Sequence, residues 1–236
     1  MEKGALLYEG KAKRLYATDV EDVLFVEYKN SATAFNGLKK AEIEGKGILN
    51  NKISTLIFEK LKQHGIESHF IKSVSEHEQL VKKVDIIPLE VVVRNISAGS
   101  FAERLGIEEG TKLKRPIVEF YYKNDALKDP LINNEHIDIL GIASKEEVET
   151  ITNNAFRVNE ALRKIFEEIG VVLVDFKLEF GRDKEGNILL ADEISPDTCR
   201  LWDAETNEKL DKDVFRRDLG SLTDVYNIIL SRLGGK

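Results

Sequence analysis

Asp175, Lys177 and Glu179 alternate with Phe176, Leu178 and Phe180 in residues 171–181, VVLVDFKLEFG. The Val, Leu and Phe content predicts a β-strand. Side chains on a strand alternate between faces, so the three ionisable groups share one face and the three apolar groups the other. A second strand is expected over residues 188–194, after a turn at Asp183, Lys184, Glu185 and Gly186. One hairpin register sets Asp192 opposite Lys177 and diagonal to Glu179. Two carboxylates and one ammonium then share a patch. Carboxylate oxygens are the hard ligands that Mg²⁺ takes alongside nucleotide phosphates. The same spacing also suits a solvated hairpin face with ordinary salt bridges, and both readings are open from spacing alone.

A second group of reactive types lies upstream. Residues 89–95, LEVVVRN, read as a strand with Glu90 at its start and Arg94 at its end. Small residues Ala98 and Gly99 follow, then a short helix over 101–105. Ser100 and Glu103 have capping-box spacing, which makes Ser100 the expected helix start. Free N–H groups at a helix start and a nearby arginine suit a phosphate; a plain capped helix beside a surface arginine is the other reading. Near the N-terminus, Gly10 stands between predicted strands with Lys11 and Lys13 beside it. That loop is either a phosphate cover or a simple hairpin with surface lysines.

The elements that must position these groups are legible along the chain. Three short strands over 6–9, 13–18 and 23–28 suggest an antiparallel meander. Residues 31–46 read as an exposed loop with a Phe35-Asn36-Gly37 turn, and 47–64 as a helix stopped by Gly65. Strand-like sequence over 66–74 and 79–87 is expected to flank a short helical turn. Residues 81–87, before Pro88, read as a hinge between two lobes. Residues 112–122 are extended, and 124–138 is a long polar loop. Ser144 and Glu147 cap a helix over 145–169 whose stripe runs Val148, Ile151, Ala155, Val158, Leu162, Ile165 and Ile169; it is expected on the back of the central hairpin. Residues 195–203, SPDTCRLWD, are read as turn-rich, and 221–233 as a terminal helix. Arg200 and Arg216 are either surface cations or anion ligands.

Composition limits the classes. Of 236 residues, 42% are apolar and 33% charged, with a net charge of −7, which fits a packed core and argues against general nucleic-acid binding. Cys199 is the single cysteine, so no intrachain disulfide forms, and no neighbouring histidine marks it as a nucleophile. His136 lacks partners at metal spacing. No charged-then-apolar leader and no membrane-length apolar run is present, so a soluble cytoplasmic protein is expected.

Four stretches carry a family resemblance. Pro88 to Arg94 with Ala98-Gly99-Ser100 is similar to one signature of the SAICAR synthetase family of purine biosynthesis, and Leu173 to Gly181 to the other. Tyr8-Glu9-Gly10-Lys11-Ala12-Lys13 and Asp192-Glu193-Ile194-Ser195-Pro196-Asp197 also fit. Asn36 departs from the family, where an aspartate is common. The resemblance implies a two-lobed kinase-like or ATP-grasp-like fold of α+β or α/β class. A small antiparallel β-rich lobe over 1–87 and a larger α/β lobe over 88–236 would enclose ATP. The implied reaction joins L-aspartate to the carboxylate of carboxyaminoimidazole ribonucleotide, using ATP and Mg²⁺, through an acyl phosphate. The implied roles put Glu179 and Asp192 on Mg²⁺–ATP, with Glu90 on a second Mg²⁺. Lys11 and Lys13 would take the ATP phosphates, and backbone groups near Lys82 and Val84 the adenine. Arg94, Ser100, Arg200 and Arg216 would hold the ribonucleotide phosphate. Lys177 would neutralise the transferring group, with Asp175 and Asp197 as orienters of the reacting amines. A homodimer is implied as well. Two other classes stay open: a ligase or kinase for a different phosphorylated acid, and a nucleotide sensor without turnover.

Overall fold

The structure, a computed structural model, describes residues 1–34 and 37–235. The expected turn at Phe35 and Asn36 lies outside the described residues. The chain opens with the meander read from its sequence: β1 (Lys3–Glu9), β2 (Lys13–Thr18) and β3 (Val23–Tyr28). Residues 31–46, expected as a loop, instead contain a small hairpin, β4 (Ser31–Ala34) with β5 (Lys39–Glu42). Helix α1 (Lys46–Gln63) follows and ends before Gly65, whose φ of 71° only glycine adopts readily. Next come β6 (Phe70–Ser75) and β7 (Glu78–Lys82), an antiparallel hairpin where a helical turn was expected. Strands β1, β2, β3, β6 and β7 form a five-stranded sheet in the order β1-β2-β3-β7-β6, and β4 and β5 pair apart from it.

A seven-stranded sheet carries the remaining chemistry. Its members are β8 (Asp85–Ile86), β9 (Leu89–Ile96), β10 (Lys112–Tyr122), β11 (Leu131–Ile132), β12 (Val171–Arg182), β13 (Ile188–Ala191) and β14 (Cys199–Asp203). Every pairing between these strands is antiparallel among the described residues, so of the two expected classes the α+β description holds. Asp175 and Phe176 pair with β9 on one edge and with β14 on the other. Strand β13 continues that second edge, pairing with Glu179 to Arg182. Residues 192–198 therefore bulge out of the edge beside Lys177, whose amide donates to the Thr198 carbonyl at 2.8 Å. The segment expected to be turn-rich is thus a loop followed by a strand.

Alternation dictates the two faces of this sheet. Val91 and Val93 of β9, Phe120 of β10, and Phe176, Leu178 and Phe180 of β12 are buried in one apolar cluster. Helix α4 (Lys145–Glu167) lies on that side, against β12, β9 and β10, with its predicted stripe inward and its Ser144–Glu147 capping box formed. The same cluster takes in Leu49, Ile53, Ile57, Phe58 and Leu61 of α1 and Tyr226, Ile229 and Leu230 of α6 (Leu222–Arg232). Helix α1 thus precedes Ile87 in sequence but packs into the core of the larger sheet. The short α2 (Gly99–Leu105), α3 (Asn134–Ile139) and α5 (Asp213–Arg216) complete the fold. The expected long polar loop after residue 124 is broken up by β11 and by α3, which Asn133 caps.

Candidate active site

The other face of the sheet is polar, and it is built by register. Arg94 sits across from Asp175 on one side and Ile117 on the other; Tyr121 sits across from Glu90, and Glu119 and Lys177 flank Val92. Glu90, Arg94, Glu119, Tyr121, Asp175, Lys177 and Glu179 therefore project to one side, opposite the core. Lys123, just past β10, reaches the same face and pairs with Glu179. Sequence reasoning missed Lys123; its place two residues beyond Tyr121 on an alternating strand was the available signal.

Lys177 is the centre of the first cluster. Its Nζ lies 2.7 Å from Glu179, 3.2 Å from Asp192 and 3.5 Å from Glu90. Burial opposes its charge, but these three carboxylates hold it well above the usual lysine value. Asp192 arrives differently from the expected register. Glu179 pairs with Ala191 and the strand ends there, so Lys177 and Asp192 are not cross-strand partners. Asp192 instead adopts the left-handed conformation, φ 59°, which turns it towards Lys177. It also pairs with Lys13 from β2, joining the two sheets. Burial raises its carboxyl, but Lys13, Lys177 and Lys123 outweigh burial and keep it well below the usual range. Glu90 goes the other way: burial pushes it up, aided by Glu179 and Asp129 and opposed by Lys177.

The second cluster is a chain of alternating charge. Arg94, only 3% exposed, donates to Glu119 at 2.7 Å, Asp175 at 2.8 Å and the Tyr121 hydroxyl at 3.1 Å. Asp175 also accepts from Arg200 at 3.0 Å, Arg200 donates to Asp213, and Asp213 accepts from Arg216 at 2.7 Å. Arg94, read from the sequence as a phosphate ligand or else a surface cation, is instead a buried strut whose donors are taken by Glu119, Asp175 and Tyr121. The expected cap also differs: α2 starts two residues earlier, with Ala98 at its N-cap and no side-chain capping bond, so Ser100 lies inside the first turn. Gly99, φ 52°, is needed there, because a Cβ would come within 2.4 Å of the Arg200 guanidinium.

A third cluster holds the 192–198 loop. Asp197 accepts from Lys46 of α1 and from the Tyr226 hydroxyl of α6, both at 2.5 Å, with Lys212 at 3.9 Å. Burial opposes its charge, but Lys212 and Lys46 hold the carboxyl below the usual range. Burial lowers Lys212 in turn. Lys46 and Tyr226 are invisible as partners of Asp197 in sequence, because α1 and α6 meet only in the folded core.

Lys11 stands apart from these clusters. It is exposed, pairs with Asp125 at 2.7 Å, and lines an open cavity of 650 Å³ with Lys29, Thr33, Lys128 and Asp129. Lys82 ends β7, and its amide is already committed to the His69 carbonyl. Val84 packs on Gly181, where any Cβ would meet it at 2.6 Å, fastening residues 82–85 to β12. Among the described residues no three His, Cys, Asp or Glu side chains converge to hold a metal by themselves. Mg²⁺ is usually held by one or two carboxylates plus substrate phosphates, and Glu179 and Asp192, hard donors either side of Lys177, fit that mode. Cys199 is buried with its thiol pushed up by burial.

A two-lobed α+β protein with lysines threaded among carboxylates beside the junction of two sheets is of the class of ATP-using enzymes, where charge neutralisation and positioning carry phosphoryl transfer. The comparisons make this specific. The chain belongs to the SAICAR synthetase family, whose family model matches residues 6–233. It is 69% identical to the phosphoribosylaminoimidazole-succinocarboxamide synthase of Lysinibacillus sphaericus, over 100% of both chains. Its fold matches the crystal structure of the Ehrlichia chaffeensis synthase at a TM-score of 0.96 and 46% identity, covering 98% of this chain and 99% of that one. A SAICAR synthetase solved in complex with ADP matches at a TM-score of 0.94 and 53% identity, covering 97% of each. No described helix is long and apolar enough to cross a membrane.

Proposed function

We propose that this chain joins L-aspartate to the carboxylate of carboxyaminoimidazole ribonucleotide, consuming ATP and releasing ADP, phosphate and the succinocarboxamide product. The observation that carries this reading is Lys177, a charged ammonium within 3.5 Å of three carboxylates on the polar face of the central sheet. A carboxylate is a poor electrophile. Transfer of the ATP γ-phosphoryl group to it gives an acyl phosphate; attack by the aspartate amine then expels phosphate and forms the amide. Mg²⁺ held by Glu179 and Asp192, with Glu90 beside a second ion, would supply charge neutralisation at the nucleotide phosphates and the substrate carboxylate. Lys177 counters charge on the transferring group, and Lys13 and Lys11 reach for the nucleotide phosphates. Backbone groups near Lys82 and Val84 flank the adenine. Ser100 and Arg200 take the ribonucleotide phosphate, with Arg94 and Arg216 setting Arg200 through Asp175 and Asp213. Asp175 and Asp197 orient the reacting amines. The lobes divide near residue 87 with ATP between them, and the enzyme works as a cytoplasmic homodimer, as the family resemblance implies.

ADP release with ATP, Mg²⁺, the ribonucleotide and L-aspartate, each omitted in turn, tests this. Release that requires all four, with the succinocarboxamide detected, is the expected outcome. Release without aspartate would turn the reading towards a kinase, and ATP binding without release towards a sensor. The phosphate subsite has its own test. In Gly99→Ala the added Cβ displaces Arg200 and strains the backbone by ~1–3 kcal/mol. The KM for the ribonucleotide is expected to rise about tenfold or more, with kcat less affected; an unchanged KM would remove Arg200 from the phosphate.

A further inference from the structure

His69 takes no part in the chemistry described above, yet it is buried and touches both ends of the site. Its Nε2 lies 3.0 Å from the backbone carbonyl of Asp192. A carbonyl oxygen only accepts, so the ring proton is on Nε2 and His69 is the donor. The residue is itself clamped. Its amide donates to the Leu190 carbonyl at 2.8 Å, and its carbonyl accepts from the Lys82 amide at 2.7 Å. Ser68 makes an isolated parallel bridge to Leu190, and the imidazole packs edge-on against Phe58, centroids 5.8 Å apart. One residue thus ties the end of β7 to the last turn of β13.

Asp192 needs such a tie. Its φ of 59° lies in the left-handed region, which aspartate enters more readily than most residues but still at a cost. A strained conformation persists only when its surroundings over-determine it. Without His69 the Asp192 carbonyl loses the hydrogen bond that fixes its peptide, and the aim of the carboxylate at Lys13 and Lys177 loosens. We propose that His69 is a positioning residue: its Nε2–H holds the Asp192 carbonyl and so aims the Asp192 carboxylate into the nucleotide-phosphate site. The proposal rests on the ligase reading only in giving Asp192 its role there. Through Lys82 the same residue couples the segment proposed to flank the adenine to the groups proposed to hold its phosphates.

Two substitutions separate the hydrogen bond from the packing. His69→Phe keeps the ring against Phe58 and loses the donor; His69→Gln keeps a donor near the Nε2 position. Steady-state kinetics are read alongside calorimetric ADP binding, with Mg²⁺ and with EDTA. His69→Phe is expected to melt near the parent temperature and lose about 10²-fold in kcat, the scale of a misplaced catalytic group. It should also lose most of the Mg²⁺-dependent gain in ADP affinity while binding ADP in EDTA much as the parent does. His69→Gln should recover most of both. A folded His69→Phe with parental kcat and Mg²⁺ gain overturns the proposal, as does a His69→Gln no better than His69→Phe. Should His69→Phe fail to fold, His69→Asn replaces it: its amide is too short to reach the Asp192 carbonyl, and parity between the Asn and Gln variants overturns the proposal. Failure of the ligase reading shows instead in the parent's own omission series, and the Mg²⁺ gain in ADP binding is read without turnover.

Discussion

Lys177→Ala is expected to lower kcat by about 10²- to 10³-fold, the range for removing one preorganised donor from a charge-stabilising site. The protein should keep its fold. Lys177 projects from the polar face of β12, and the apolar face that anchors the strand, Phe176, Leu178 and Phe180, is untouched. Lys13 and Lys123 remain to balance Asp192 and Glu179, so the cluster loses one cation of three. The KM for ATP should change much less than kcat, because Lys13 and Lys11, the lysines proposed for the nucleotide phosphates, are retained, whereas Lys177 is the one proposed to meet the charge that grows on the transferring group. Circular dichroism and steady-state kinetics on the same preparation decide the matter. A folded variant with kcat within a few-fold of the parent would strip Lys177 of its role and leave it a structural counter-ion to Glu90, Glu179 and Asp192.

Asp175→Ala should lower activity, through the amine it is proposed to orient and through Arg200, and also cost about 3–5 kcal/mol of stability, because removing one partner of a buried ion pair strands the other charge. Two guanidiniums depend on this carboxylate. Arg94 and Asp175 are each 3% exposed, and Arg200 donates to Asp175 from the other side at 3.0 Å. Arg94 retains Glu119 and Arg200 retains Asp213, which keeps the expected loss within that range. Urea unfolding measures it as a lower midpoint at unchanged slope. Asp175→Asn, which keeps an acceptor but no charge, should fall between the parent and Asp175→Ala. A loss below about 1 kcal/mol for Asp175→Ala, the scale of an exposed pair, would mean that the charge chain from Arg94 to Arg216 does not act as a unit.

The alternation of residues 175–180 was legible and proved to be the organising feature of the larger sheet, with one face apolar and the other ionic. The Ser144 capping box and the stripe of α4 were equally legible, since both follow from contacts within three or four residues. Errors fell where a local pattern had a competitor elsewhere in the fold. Ser100 has capping-box spacing with Glu103, but the turn of Gly99 against Arg200 starts the helix two residues earlier. SPDTCRLWD has a turn-like composition, yet its second half is strand β14 because β12 offers it an open edge.

What the sequence by itself determined is the list of reactive groups, the faces they occupy on their own elements, and, through its signatures, the family. Those follow from side-chain periodicity and from residue type, and both are local. Only the tertiary structure decided which charges meet. Arg94 and Asp175 are 81 positions apart, and Lys13 and Asp192 are 179 apart. Their pairing depends on strand order, on a left-handed turn at Asp192, and on the packing of α1 and α6 beneath the 192–198 loop. Whether a lysine or arginine is a surface cation, a buried strut or the centre of an acidic cluster is set by burial and by the opposite charges brought beside it, and neither can be read from spacing along the chain.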